Sequence, residues 1–243
     1  MLDSEILAEA PCHAAIELYA APIPQQFAAS GLEALVQGLS LRRRRIRAKE
    51  HVFRAGQPRQ TLYLIHAGFF KTSLVSEDGR EKITGFRLRG DLLGLDAIDM
   101  PVYACDAVAL DVGEVWELPC AQLRENVPNF QELLTSVLAS EIRRDWGWML
   151  AVGTLSAEQR VVSFLLDLAA RMQTLGFSAR SLMLRMTRAE LGNFLALQLE
   201  TVTRALSHLQ AMGMISVDGR QISIENPIGL RAMLGAPQHA LAA

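Results

Sequence analysis

Cysteine is scarce in this chain: Cys12, Cys105 and Cys120 are the only three among 243 residues. So small, odd and scattered a set excludes a disulfide framework and fits free thiols in a reducing cytoplasm. Long apolar runs are missing as well. No stretch reaches the roughly 20 residues that a membrane-spanning helix needs, and the acidic N-terminus lacks the apolar core of a secretory leader. A cytoplasmic protein with no membrane partner is expected. Histidine is sparse, with five residues and no His-x-His pair. The competing reading, a cupin-like metal enzyme, needs several histidines and a carboxylate converging on one metal. His51 and His66 stand apart, and no phosphate loop or nucleophile constellation is visible, so the chain reads as a non-enzyme. Lysine is absent from Leu155 onward, where eight arginines stand against six acidic residues. That part is mildly basic although the whole chain has a net charge of -2. Mild basicity permits DNA binding, because a local patch matters more than the total.

Half of the chain is apolar, so it folds, and its length allows two domains. The C-terminal third carries the clearest motif. Thr187 with Glu190 makes a capping box that opens a helix, and Leu191, Phe194 and Leu195 give it an apolar stripe. A second helix is expected over about Leu199 to Met212, with Val202, Leu206 and Leu209 facing inward and Gly213 stopping it. Glu200, Thr203 and Arg204, at i, i+3 and i+4, share another face. This is the layout of a helix-turn-helix. Gln198 takes the N-cap position of the second helix, where it caps poorly. Met214 to Val217 and Gln221 to Ile224 flank Asp218-Gly219-Arg220 and read as a two-stranded wing. The tail after about Asn226 reads as peripheral.

Upstream, Val52-Phe53, Leu62 to Ile65, Phe69 to Val75, Lys82 to Leu88 and Val115 to Leu118 are short and β-prone. Glycines punctuate them, and Glu77-Asp78-Gly79 suits a hairpin turn. Many short strands of this kind argue for an antiparallel sandwich or jelly roll. The run Arg42 to Arg45 reads as a solvated strand face rather than a nucleic-acid patch. A short helix is expected over Gln25 to Leu39 and a long one over about Pro128 to Gly153. On the long helix, Phe130, Leu133, Leu134 and Val137 form a stripe that packs on the strands. Thr135, Leu138, Ile142, Asp145, Met149 and Val152 alternate spacings of three and four, the pattern of a coiled-coil seam. The alternative is one wide helix face buried within a single chain. Ser156 with Gln159 opens a further helix, to about Leu175.

Strand roll, long helix and winged helix-turn-helix follow one another in the order of the CRP/FNR family of bacterial transcription regulators. Ile83-Thr-Gly-Phe-Arg-Leu-Arg-Gly-Asp-Leu-Leu-Gly-Leu-Asp-Ala-Ile98, Met186-Thr-Arg-Ala-Glu-Leu-Gly-Asn193 and Leu199-Glu-Thr-Val-Thr-Arg204 carry the resemblance, which is strongest toward the FNR branch. It runs from about Cys12 to Asn226. It implies an α+β chain: an N-terminal segment (1–26), an antiparallel β-roll or jelly roll (27–126), a dimerisation helix (127–153) and a winged helix-turn-helix (154–243). The implied partners are double-stranded DNA, a second copy of the chain and RNA polymerase. Glu200 and Arg204 fall where the family reads bases. Arg204 can donate two hydrogen bonds to guanine O6 and N7, Glu200 can accept from cytosine N4, and the Thr203 methyl can touch a thymine methyl. Gln198, Thr201, Thr187 and Arg188 complete the expected DNA-binding set. The implied half-site is TTGAT in two inward-facing copies, with Thr203 replacing the serine usual in the FNR branch.

The chain departs from its relatives at the sensor. FNR itself holds an iron–sulfur cluster with four cysteines, and here those registers give Cys12, Ala15, Ala21 and Trp116. A [4Fe–4S] cluster needs about four thiolates, so none of the FNR kind is expected. The cyclic-AMP branch sets its ligand's phosphate against Gly-Glu and Arg-Ser. Here Gly90-Asp91 and Pro101-Val-Tyr-Ala-Cys105 stand instead, with no arginine to pair the phosphate. Haem or nitric oxide sensing, thiol redox at Cys12, or another small ligand stay open as inputs. Asp145 interrupts the seam and would meet its copy near a dyad, where like charges repel. It is expected either to make dimerisation conditional or to be neutralised by Arg143, Arg144 or a residue of the partner copy.

Overall fold

The computed structural model describes residues 41–127 and 129–235. The N-terminal segment, the helix expected over Gln25 to Leu39, and Cys12 lie outside the described residues. Among these, the chain forms two compact units, divided between Ala139 and Ser140.

In the first unit eight strands form two antiparallel sheets. They are β1 (Arg42–Ile46), β2 (His51–Phe53), β3 (Thr61–Ala67), β4 (Phe70–Val75), β5 (Glu81–Arg87), β6 (Leu92–Leu93), β7 (Asp106–Ala109) and β8 (Gly113–Pro119). One sheet runs β1-β8-β3-β6 and the other β2-β7-β4-β5. Strand β3 shows why the roll closes. Successive side chains on a strand point to opposite faces. Tyr63 and Ile65 enter the core shared with Phe53, Phe70 and Ala107 of the second sheet. Leu62 and Leu64 point the other way, into a cluster with Trp116, Leu118 and two helices. A strand buried on both faces reads as an unbroken apolar run, as Leu62-Tyr63-Leu64-Ile65 does. The helices are α1 (Cys120–Asn126) and the start of α2 (Phe130–Thr154). Phe130, Leu133 and Val137 of α2 join that cluster, so the stripe expected to pack on the strands does so.

The β4–β5 hairpin turns at Gly79, whose φ of 81° needs glycine. Strand β1 corrects the reading of Arg42 to Arg45 as a wholly solvated face. Arg42, Arg43 and Arg45 are exposed, but Arg44 is half-buried. Its Nη2 donates to the carbonyls of Val52 (2.8 Å) and His51 (3.3 Å). Arg43 lies over the Trp116 ring, 5.2 Å from its centroid.

The second unit contains the rest of α2, α3 (Ala157–Thr174), β9 (Ser181–Met183), α4 (Arg188–Leu195), α5 (Leu199–Ala211), β10 (Ile215–Asp218), β11 (Gln221–Ile224) and α6 (Pro227–Met233). Ser156 and Gln159 form a reciprocal capping box at the start of α3. The wing is larger than the expected hairpin, with β9 pairing to β11 in the order β10-β11-β9. The tail is not peripheral throughout. Asn226 caps α6 by accepting from Gly229 N, Pro227 sits at its first turn, and Leu230 and Leu234 are buried. Gln159 Nε2 donates to Met233 O at 2.9 Å, fastening the end of α6 to the start of α3.

Candidate nucleic-acid interface

The candidate interface begins at the cap of α4. Thr187 Oγ1 accepts from Glu190 N (3.1 Å), and Thr187 N donates to Glu190 Oε2 (2.8 Å). Two otherwise unsatisfied helix-end donors are thereby paired. Leu191, Phe194 and Leu195 are buried, and a three-residue turn follows. Ala196 takes the left-handed conformation with φ 55°. Gly192 is required one turn earlier, because a Cβ there would lie 2.6 Å from Leu197 O. Leu197 N donates to Gly192 O at 2.9 Å, closing the turn.

Helix α5 presents two faces. Val202, Ala205, Leu206 and Leu209 are buried behind it. Gln198, Glu200 and Arg204 are exposed, and Thr201 and Thr203 are half-exposed. Gln198 is the N-cap and makes no side-chain cap bond, as its chemistry predicts. Among the described residues, the side chains of Glu200 and Arg204 have no hydrogen-bond or ion-pair partner. Thr203 Oγ1 donates to Leu199 O at 3.0 Å. The far end of α5 is tied down by His208 Nδ1, 2.6 Å from Glu158 Oε1 of α3, and by Gln210 Oε1, which accepts from Val217 N at 3.0 Å.

Beside α5 lies a cleft of about 230 Å³, lined by Thr187, Arg188, Gly219 and Arg220 over a floor that includes Leu206 and Ile222. Arg220 is exposed at the tip of the wing, where the sequence reading named no site residue. Its signal was its place in the β10–β11 loop, which Gly219 leads with φ 59°.

On α2, Ile142 is 47% exposed and Met149 71%. Asp145 is exposed, while Leu138 and Val152 are half-buried. Trp146, outside the named seam, is 56% exposed on the same side. It stands four residues after Ile142 and three before Met149, so helical spacing alone could have found it. Arg144 pairs with Glu141 at 3.0 Å.

The roll's candidate sensing groups are dispersed. His66 stacks on Trp116 at 4.7 Å between centroids, and His51 Nε2 lies 3.7 Å from Asp106 Oδ2. Cys105 is buried, and burial pushes its thiol well above the usual value. Cys120 Sγ accepts from Arg59 Nη1 at 3.0 Å. Among the described residues no group of three or more His, Cys, Asp or Glu could hold a metal ion. No helix among them is long and apolar enough to cross a membrane.

A β-roll joined by a long helix to a winged helix-turn-helix defines a DNA-binding transcription regulator. Residues 159–233 match the Crp-like helix-turn-helix domain, and residues 43–127 match the cyclic nucleotide-binding domain. The chain is 37% identical over 197 residues to the anaerobic regulatory protein of Pasteurella multocida, covering 80% of this chain and 72% of that one. It is 36% identical to the transcriptional activator protein anr of Pseudomonas aeruginosa, covering 80% and 81%. It also superposes on FixK2 from Bradyrhizobium japonicum with a TM-score of 0.73 at 29% identity, over 84% of this chain and 100% of that one. The chain belongs to the CRP/FNR family of transcription regulators, and these relatives are regulators rather than enzymes.

The positions compared above with the cyclic-AMP branch hold groups bonded within the roll. Asp91, in place of the glutamate, is buried and accepts from Leu88 N at 2.8 Å. Tyr103, within the Pro101–Cys105 stretch that stands in place of Arg-Ser, is buried and stacks on Phe53 at 3.8 Å. Its hydroxyl donates to Thr61 O at 2.6 Å. Arg59 lies beside this segment, with its Nε donating to Met100 O at 3.1 Å. The resemblance also sets Trp116 at the fourth ligand register of an FNR-type cluster. Trp116 is a buried ring with a donor N–H and no thiolate.

Proposed function

We propose that this protein binds an inverted repeat of TTGAT-like half-sites as a homodimer, without an FNR-type iron–sulfur cluster. The observation that carries this reading is the outward face of α5. A buried stripe holds the helix from behind, while Glu200 and Arg204 stand exposed and without partners among the described residues. In a major groove Arg204 reads guanine, Glu200 accepts from cytosine N4, and the Thr203 methyl meets a thymine methyl. Gln198 and Thr201 flank this triplet. Thr187, Arg188 and Arg220 line the neighbouring cleft, suited to phosphate contacts that set orientation without reading sequence.

The second copy is supported by the unpacked side of α2. Ile142, Trp146 and Met149 expose large apolar groups there, and Leu138, Asp145 and Val152 share the side. We assign residues 1–26 as an N-terminal segment, 27–126 as the sensor domain, 127–153 as the dimerisation helix and 154–243 as the DNA-binding domain. Contact with RNA polymerase from the roll, as family resemblance implies, completes the proposal. The ligand registers Cys12, Ala15, Ala21 and Trp116 supply one thiolate where a cluster needs about four.

The test is operator binding by purified protein. Arg204→Ala should weaken binding to a palindromic TTGAT probe by about 1–3 kcal/mol and relax discrimination at the G·C pair. An equal loss on random DNA would refute base reading. Protein prepared without air should contain no acid-labile sulfide; cluster stoichiometry would overturn the ligand count.

A further inference from the structure

We infer that Trp148 is a positioning residue: through it, paired α2 helices set the stance of each recognition helix and so the half-site spacing the protein accepts. The inference rests on the homodimer reading. Three rings from three helices of the second unit meet at one point. Trp148 of α2 meets Phe194 of α4 edge to face, with centroids 4.9 Å apart and planes at 68°. Phe164 of α3 closes the triangle, 6.3 Å from Trp148 and 6.2 Å from Phe194. Phe164 and Phe194 are buried, and Trp148 is half-buried. Edge-to-face pairs have directional preferences that aliphatic contacts lack. Each ring therefore restrains the angle of the other two.

The position of Trp148 on α2 gives this cluster its consequence. It follows Asp145 by three residues and precedes Met149 and Val152 by one and four. The same two turns thus carry the exposed side of α2 and the ring that grips α4. Phe194 is the next-to-last residue of α4. Beyond it, the turn to α5 has little slack. A carbonyl crowds Gly192, Ala196 sits in a left-handed well, and α5 starts at Leu199. A tilt of Phe194 is passed on to α5. In a dimer, the distance between two recognition helices must match the helical repeat of DNA. A rigid link from the pairing face to the reading helix makes that match strict.

The experiment compares the full-length protein with Trp148→Leu and Trp148→Phe on three operators: the best spacing between TTGAT half-sites, and one base pair more or less. Wild type should lose about tenfold or more in affinity on both altered spacings, a loss of at least 1.4 kcal/mol. The Leu variant should remain dimeric by analytical ultracentrifugation and bind all three operators with affinities within about threefold. The Phe variant should keep most of the discrimination. A folded, dimeric Leu variant as strict as wild type overturns the inference. A general loss of affinity with unchanged preference marks a merely structural role and overturns it too. Should the Leu variant fail to fold by circular dichroism, a Trp116→Phe, Trp146→Phe protein leaves Trp148 as the sole tryptophan. Its emission should then shift on the best operator and not on the altered ones; identical emission on all three counts against the inference. A wild-type protein that stays monomeric on every operator refutes the homodimer reading itself.

Discussion

At the scale of single residues, the roll's interior holds two acidic side chains neutral. Burial, reinforced by the nearby Asp96 carboxylate, raises the Cys105 thiol; burial likewise raises the Tyr103 phenol. A group whose value is raised by folding contributes stability that is complete below its unfolded value and fades as pH climbs past it. For Cys105 that fading starts near a pH of about 8.5. The protein should therefore lose stability to urea between neutral pH and pH of about 10, by about 1–2 kcal/mol through this thiol alone. Cys105→Ala, measured at both pH values, should flatten the decline. An equally steep decline in the variant would show that the thiol titrates freely.

At the scale of elements, caps matter more than their size suggests. Gln159 accepts from Ser156 N with one atom and donates to Met233 O with another. Ser156→Ala should cost about 1 kcal/mol. Gln159→Ala should cost more, because it also releases α6. Chemical denaturation reads both, and equal losses would show that the α6 tie contributes nothing. Elements marked by such local chemistry were legible in the sequence. The capping boxes at Ser156 and Thr187, the stop at Gly213 and the alternation of inward residues on α5 are each set by neighbours a few positions away. Strands β6, β7 and β9 were not legible. Each has two to four residues and exists because a distant partner pairs with it; β9 pairs with β11, as in Leu182 with Ile222. Helix α1 was hidden by its short length, and α6 by a proline that reads as a breaker but here occupies a first turn.

At the scale of the whole molecule, the order of parts was readable because each part has its own pattern, short β-prone runs broken by glycine in the roll and a spacing near three and a half along α2 and beyond. The extent of the apolar side of α2 was not. Trp146 was overlooked because Asp145 fits the strict heptad, although its spacing from Ile142 and Met149 also suits one helix face. Met149 is 71% exposed in one chain, so Met149→Glu should leave the protomer's melting temperature almost unchanged. In sedimentation it should weaken self-association by about tenfold or more, since it sets like charges at a paired face. A dimer of undiminished strength would place the pairing surface elsewhere.

The bond from Thr203 to the Leu199 carbonyl has a consequence on the other side of the interface. With its hydroxyl turned back into its own helix, this side chain would offer DNA a hydrocarbon tip in the proposed complex. An operator synthesised with uracil in place of the facing thymine should bind more weakly by roughly 0.8 kcal/mol, the worth of one buried carbon. A Thr203→Ser protein should barely notice the exchange. Specificity at that base pair would then depend on a single methyl group of the nucleic acid.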